Sequence, residues 1–165
     1  MTATPTTLDE ALDLVSYREK ITEANNSVRN YSLGSAVIGT IPIPMLDVAA
    51  LIALNLKMLH KLSNIYGVEF KEELGKSAIA SFLGACGSVS ISGRLIWGLS
   101  TVVPVAGSII RVVTLPLFAA AVTYAIGQLF IQHFESGGTF LTFDPEKVHS
   151  HFQARFKEGK KIAKK

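Results

Sequence analysis

The stretch that decides the fold runs from Ser77 to Gln132 and reads SAIASFLGACGSVSISGRLIWGLSTVVPVAGSIIRVVTLPLFAAAVTYAIGQLFIQ. Of its 56 residues only two, Arg94 and Arg111, carry a charge. Small residues recur at every fourth position in its first part, a spacing that lets helices approach closely in a membrane or in a tight soluble bundle. They are Ser77, Ser81 and Ala85 on one line and Ala80, Gly84, Ser88 and Ser92 on the next. The stretch therefore predicts closely packed apolar helices.

The second half of this stretch is long enough to cross a bilayer. Val112 to Gln132 is uncharged for 21 residues, which is about 31 Å as an α-helix and matches the hydrocarbon core of a membrane. A second membrane-spanning helix is difficult to assign. Pro104 interrupts the preceding apolar run, and a charge such as that of Arg94 or Arg111 at mid-bilayer costs at least about 2.5 kcal/mol. We expect 77–132 to form a helical hairpin in or on a membrane. The alternative is the tight core of a soluble module.

The sequence before this stretch predicts a second apolar helix. Pro42 and Pro44 are two residues apart and cannot both lie inside a helix. Pro42 therefore indicates a break, and Pro44 the first turn of a helix that continues to Tyr66. Asp47 would lie near the positive end of the helix dipole, and Gly67 would end the helix as its C′ residue. Asn55 interrupts the apolar face and is expected to bond a neighbouring backbone group.

Both ends of the chain predict amphipathic helices. Thr6 or Thr7 can cap the first helix, whose apolar stripe would pack on the domain or pair with a partner helix. The stripe consists of Leu14, Tyr17, Ile21, Ala24, Val28 and Tyr31. Asp144-Pro145 predicts the start of the last helix, where Val148, Phe152 and Phe156 form an apolar stripe. That helix could dock on the domain, lie at a lipid surface or bind a partner.

The last helix also carries the basic end of the chain. Residues 144–165 have a net charge of +4 and residues 1–30 a net charge of −2, in a chain whose total is +3. A basic tail of this kind attracts anionic lipid, nucleic acid or an acidic partner, or is simply a solvated helix end. We expect membrane or protein contacts rather than nucleic acid. The candidate contact residues are Arg155, Lys157, Lys160, Lys161, Lys164 and Lys165.

Composition excludes several classes of protein. The chain has 165 residues, of which 48% are hydrophobic and only 18% charged, and its mean hydropathy is +0.35. These values exclude a disordered chain and a collagen-like chain. A single cysteine, Cys86, excludes an internal disulfide and favours a reducing compartment. The polar, acidic N-terminus does not read as a signal peptide, so we expect the protein not to be secreted.

The sequence offers no catalytic constellation. Gly75-Lys76-Ser77 would need a glycine at position 70 to form a phosphate loop, and Phe70 is there instead. His149 and His151 are two residues apart and point to different sides of a helix. We therefore predict a protein that is not an enzyme and that needs no cofactor and no metal ion.

A family resemblance adds a context. The run RNYSLGSAVIGTIPIPMLDVAALIALNLKMLHKLSNIYGVEF, Arg29 to Phe70, resembles the bacterial domain of unknown function 697. VVPVAGSII at 102–110 and FESGG at 134–138 are also similar, so that the resemblance covers roughly residues 24–138. The family-like structural residues are Pro42, Pro44, Asp47, Tyr66 and Gly67. The resemblance implies an all-helical fold, an association with Era-like GTPases and, for some members, an inner-membrane location, but no catalytic residues.

Together these features predict an all-α protein with one compact helical domain. Its parts would be an amphipathic helix at 1–30, a family-like domain at 31–138 that contains a Gly/Ala-rich apolar hairpin at 77–132, and a basic amphipathic helix at 139–165. We expect a membrane-associated adaptor or scaffold with cytoplasmic polar ends, acting with a GTPase in trans or by self-assembly. The alternative is a cytoplasmic, soluble interaction module that forms a homo-oligomer or binds a GTPase.

Overall fold

The computed structural model describes residues 7–38, 46–89 and 104–162, with side chains placed for 7–37, 48–84 and 115–162. These ranges contain five α-helices and no strand, which confirms the all-α prediction. The helices are α1 (Leu8–Ile38), α2 (Leu46–Tyr66), α3 (Glu72–Val89), α4 (Pro104–Glu135) and α5 (His149–Ile162).

The centre of the bundle is α4, and α1, α2 and α5 pack around it. α2 runs parallel to α4, since Asn55 contacts Thr123 and, three turns further along both helices, Tyr66 contacts Glu135. α1 runs antiparallel to α2, as the Glu23–Lys61 ion pair shows together with the approach of Tyr17 to Tyr66. The C-terminal part of α1 and the N-terminal part of α2 therefore lie beside the N-terminal half of α4.

The last turns of α5 pack on the middle of α4. Gly159 lies so close to α4 that an added Cβ would be 2.9 Å from the Cα of Ala121. The ring of Phe156 meets Phe118 edge-on at 5.7 Å, and Glu158 accepts a hydrogen bond from Tyr124 at 3.1 Å. Because these contacts fall between positions 118 and 124, they fix the level of the basic helix end along α4.

A cluster of phenylalanines joins α3, α4, α5 and the segment between α4 and α5. Phe130 stacks on Phe143 at 4.2 Å, and Phe82 stacks on Phe152 at 4.6 Å. Phe140, in the turn after α4, is buried against Phe130 and Phe134. The segment between α4 and α5 is thus a series of turns that forms part of the core.

Two helix ends follow the capping rules read from the sequence. Gly67 has φ +68°, its N–H bonds the carbonyl of Asn64, and the N–H of Val68 bonds that of Ser63. Gly137, with φ +80°, ends α4 in the same way. This is the Schellman arrangement, in which a left-handed residue lets two N–H groups satisfy the last carbonyls. The first helix is capped by Thr7, whose Oγ1 accepts the N–H of Glu10 at 3.3 Å.

Among the described residues, the small-residue lines of α3 meet no neighbouring helix. Ser77, Ala80, Ser81 and Gly84 are exposed, and a Cβ at Gly84 would meet no atom of the described residues within 4 Å. The close approaches occur elsewhere, at Gly127 against Val28 and at Gly159 against Ala121. The buried face of α3 is the other one, which carries Ala78, Ile79 and Phe82.

Candidate membrane and partner surfaces

The basic residues of the last helix lie on its exposed side. Phe152 and Gly159 are buried and Phe156 is half-buried, so the apolar stripe of α5 docks on the bundle. Of the three alternatives for this helix, the structure therefore shows docking on the domain. The face of α5 that is exposed to solvent is polar and positively charged.

The basic side chains on this face differ in their contacts and exposure. Arg155 is half-buried and pairs with Glu158 at 3.0 Å. Lys160 lies over the ring of Phe156, with its Nζ 4.5 Å from the ring centroid. Lys157, Lys160 and Lys161 are exposed. Lys164 and Lys165 lie outside the described residues.

The family-like residues fall partly within the described ranges. Pro42 and Pro44 lie outside them, and Asp47 is the second residue of α2. Tyr66 ends α2, and its hydroxyl donates to Glu135 Oε1 at 3.0 Å. Burial raises the pKa of the Tyr66 phenol above its ordinary value, and the hydrogen bond to Glu135 and the charge of that carboxylate act in the same direction. Tyr66 therefore joins the end of α2 to the end of α4, and Gly67 terminates α2.

Sequence reasoning missed the polar contacts that hold α4 within the bundle. Gln128 donates to Asn25 of α1 at 2.8 Å, and Tyr124 donates to Glu158 of α5. Asn55 of α2 donates to Thr123 at 3.2 Å and to the carbonyl of Leu51 at 2.8 Å, the latter as expected. The polar residues inside the apolar run of α4 were the available signal, but their partners are distant in sequence.

One helix in the described part of the chain, α4, is long and apolar enough to cross a membrane. The candidate span is Leu115–Glu135, and 61% of its most apolar window is buried inside the bundle. Length and composition alone select this helix, and the core helix of a soluble protein passes the same test. Its burial and its polar contacts make this part of α4 the core of the bundle.

A shallow open groove of about 660 Å³ runs along the outer side of α1. Its walls carry amide, hydroxyl and charged groups, among them the exposed Glu23–Lys61 pair at 2.7 Å. The lining residues are Val15, Arg18, Glu19, Thr22, Glu23, Asn26, Ser27, Asn30 and Lys61. This set contains no nucleophile–base pair, and the described residues contain no group of three or more His, Cys, Asp or Glu side chains that could hold a metal ion.

The ends of the bundle expose large apolar side chains. On the first turns of α1, Leu8 is 78% and Leu12 58% exposed. Beside the N-terminal half of α4, Leu33 and Val48 are each 54% exposed, and Ile162 is 43% exposed. Single exposed apolar residues are ordinary on a protein surface, whereas groups of them mark contact surfaces.

Comparison with known proteins places this fold in a family. A family model described as "Domain of unknown function (DUF697)" matches residues 7–161, which confirms the resemblance and extends it to the start of α1 and over α5. The chain is 34% identical over 164 residues to magnetosome membrane protein 22 of Magnetospirillum gryphiswaldense, an alignment that covers 99% of this chain and 80% of that protein. No solved structure matches the chain.

Proposed function

The chain belongs to the DUF697 family, and on this premise we propose that it is a non-enzymatic, membrane-associated helical protein. The relative in Magnetospirillum gryphiswaldense is named a magnetosome membrane protein, which supports a membrane location for this chain. We assign it to the inner membrane or its surface, with both polar ends in the cytoplasm.

The observation that carries this proposal is the change of burial along α4. Most side chains from Ala119 to Phe134 are buried by the other helices, whereas Leu115–Phe118 are half-buried. In the sequence, the preceding 20 residues, Leu95 to Thr114, stay apolar and include Arg111 as their one charge. We propose that this preceding apolar sequence contacts lipid while the bundle stays at the membrane surface. Arg111 would then lie at the interface, where a guanidinium can reach the headgroups.

Membrane fractionation of the full-length chain tests this function. Expressed in a bacterial host, the protein is expected in the membrane fraction and is expected to stay in the pellet after high salt and after carbonate, until detergent is added. Release by carbonate would overturn insertion of the apolar sequence. Recovery of the protein in the soluble fraction would overturn membrane association as a whole.

We propose further that the protein acts as an adaptor or scaffold. The cross-helix polar groups of α4 hold the bundle together, and the outer surfaces carry the features of contact sites: the α1 groove and the exposed Leu8 and Leu12. A GTPase partner in trans is part of this proposal. The test is the GTP hydrolysis rate of an Era-like GTPase from the same organism, measured with and without this chain in vesicles. An unchanged rate and unchanged nucleotide affinity would overturn that partner.

The second candidate is a soluble module that self-associates. The burial of α4 favours it, since a helix that is paired through Thr123, Tyr124 and Gln128 is already shielded over its C-terminal half. Analytical ultracentrifugation without detergent distinguishes the two functions. A discrete dimer or higher oligomer in buffer supports the soluble module, and aggregation that only detergent reverses supports the membrane protein.

A further inference from the structure

One group of exposed side chains combines apolar and positively charged residues at the same level of α4. Leu33 lies in the last two turns of α1 and Val48 in the first turn of α2, and both project from the bundle surface. The last turns of α5 add Lys157, Lys160, Lys161 and Ile162, all exposed. We call these six residues the basic rim.

The position of the basic rim follows from contacts between helices. Asn55 of α2 contacts Thr123 of α4, and the two helices run parallel. Val48 is two turns before Asn55, so it lies near Leu115–Phe118, the half-buried residues at which the described side chains of α4 begin. Gly159 meets Ala121, so the neighbouring lysines are beside the same part of α4. The consecutive helices α1 and α2 and the distant helix α5 thus present exposed residues near the middle of α4.

The opposite part of the bundle carries the negative charges. The first two turns of α1, the start of α3 and the segment after α4 lie at or beyond the level of the C-terminal end of α4, where Tyr66 meets Glu135. Their acidic residues are Asp9, Glu10, Asp13, Glu69, Glu72, Glu73, Glu135, Asp144 and Glu146. Lys71, Lys76 and Lys147 pair with four of these carboxylates. The nine acidic residues still outnumber these three lysines, so this end has a net negative charge whereas the rim has a net positive one.

We propose that the basic rim is the docking surface for an anionic lipid bilayer, and that it orients the bundle with its carboxylate end away from the membrane. Lysines attract anionic headgroups, and apolar side chains at the same level enter the boundary between headgroups and acyl chains. The apolar face of α5 is used by the bundle, so the contribution of this helix is electrostatic and the apolar contribution comes from Leu33, Val48 and Ile162. This inference rests on the proposed function and specifies the lipid class and the orientation.

The first test is binding of the full-length chain to vesicles of neutral phosphatidylcholine with and without phosphatidylglycerol. We expect K157Q/K160Q/K161Q to weaken binding to the anionic vesicles at least tenfold, since each basic residue near an anionic surface contributes on the order of a fivefold change. The matched control is K20Q/K71Q/K147Q, which removes the same charge from the carboxylate end and should change binding less than twofold. Equal losses in both triple variants would overturn the inference.

The second test measures orientation. With Cys86 replaced by serine, an environment-sensitive fluorophore is attached through L33C or V48C at the rim, or through L12C or S136C at the far end. All four positions are exposed, so labelling leaves the core intact. Rim labels should shift to the blue and be quenched by lipid-borne quenchers, and far-end labels should not. Far-end labels that report lipid would overturn the orientation.

The two proposals fail in different ways. A protein that fractionates with membranes but binds neutral and anionic vesicles equally refutes the basic rim and leaves the proposed function standing. A protein that remains in the soluble fraction of cells refutes the proposed function itself, whatever its vesicle preference.

Discussion

The side-chain amide of Asn55 on α2 donates a hydrogen bond to Thr123 Oγ1 on α4 across 3.2 Å, and both side chains are fully buried. The same Nδ2 also donates to the carbonyl of Leu51. Among the described residues, Oδ1 of Asn55 has no hydrogen-bond partner. The pair therefore fixes the register of two helices at a cost, because a buried acceptor is left unpaired.

This pair predicts a non-additive effect of mutation. T123V removes one acceptor of the Asn55 amide and should lower the free energy of unfolding by about 1 kcal/mol. In N55L/T123V both polar groups are gone, and stability should return to the wild-type value or exceed it, since replacing both buried partners by apolar groups is close to neutral. Chemical denaturation followed by circular dichroism measures both. A double variant less stable than T123V alone would contradict the prediction.

The contact between α1 and α4 depends on the absence of a side chain at Gly127. A Cβ there would be 2.5 Å from Cγ2 of Val28. We expect G127A to destabilise the bundle by about 1–3 kcal/mol through overpacking, and V28A/G127A to recover part of the loss. The control is G84A, which replaces an exposed helical glycine and should stabilise by up to about 1 kcal/mol. Thermal unfolding compares the three, and equal effects of G127A and G84A would refute the steric argument.

The end of α2 depends on a left-handed residue. Gly67 has φ +68° with open space around its Cα. G67A should therefore cost about 1–2 kcal/mol from backbone strain alone, and G67N should cost less because Asn tolerates this region. G34A is the matched control, as Gly34 is also open but lies within α1. If G67A and G34A proved equally stable, the strain at Gly67 would be disproved.

The raised pKa of Tyr66 predicts that the free energy of unfolding decreases at alkaline pH. Its pKa in the folded protein is raised above the unfolded value, first by burial and then by the bond to Glu135. The stabilisation is therefore complete below about pH 10, the unfolded pKa, and is lost as the pH rises above it. Wild-type stability should fall more steeply above pH 10 than that of Y66F. Urea midpoints from pH 8 to 11 measure this, and parallel curves would argue against it.

Because α5 docks on the bundle through Phe152, truncating this side chain is expected to lower the stability of the protein strongly. Its ring is buried and stacks on Phe82 and, more loosely, on Phe156. F152A should cost about 3–5 kcal/mol and should release α5, which limited proteolysis at the lysines would detect as early cleavage. L141A is the control, because Leu141 is 75% exposed in the turn before α5. Unchanged cleavage in F152A would mean that α5 is held by other contacts.

The sequence by itself determined the helices and several of their ends, although α5 begins at His149 and not at the predicted Asp144-Pro145, where Asp144 instead accepts the N–H of Glu146 within a turn. Proline and glycine have strong local preferences, so Gly67 and the Gly137-Gly138 pair could be assigned as helix ends without knowing the fold. Thr7 was equally readable as a cap. The near-absence of charge between Ser77 and Gln132 also marked, correctly, the apolar helix at the centre of the molecule.

Only the tertiary structure decided what each apolar face meets. The sequence did not single out Gly127 and Gly159 as the positions of close helix contact, since spacing gives a face of a helix and not its neighbour. The same limit applies to polar residues. Gln128 bonds Asn25, 103 positions earlier in the chain, and the level of the lysines of α5 beside α4 follows from Gly159 meeting Ala121. Such pairings depend on how complete helices fit together, and no local preference encodes them.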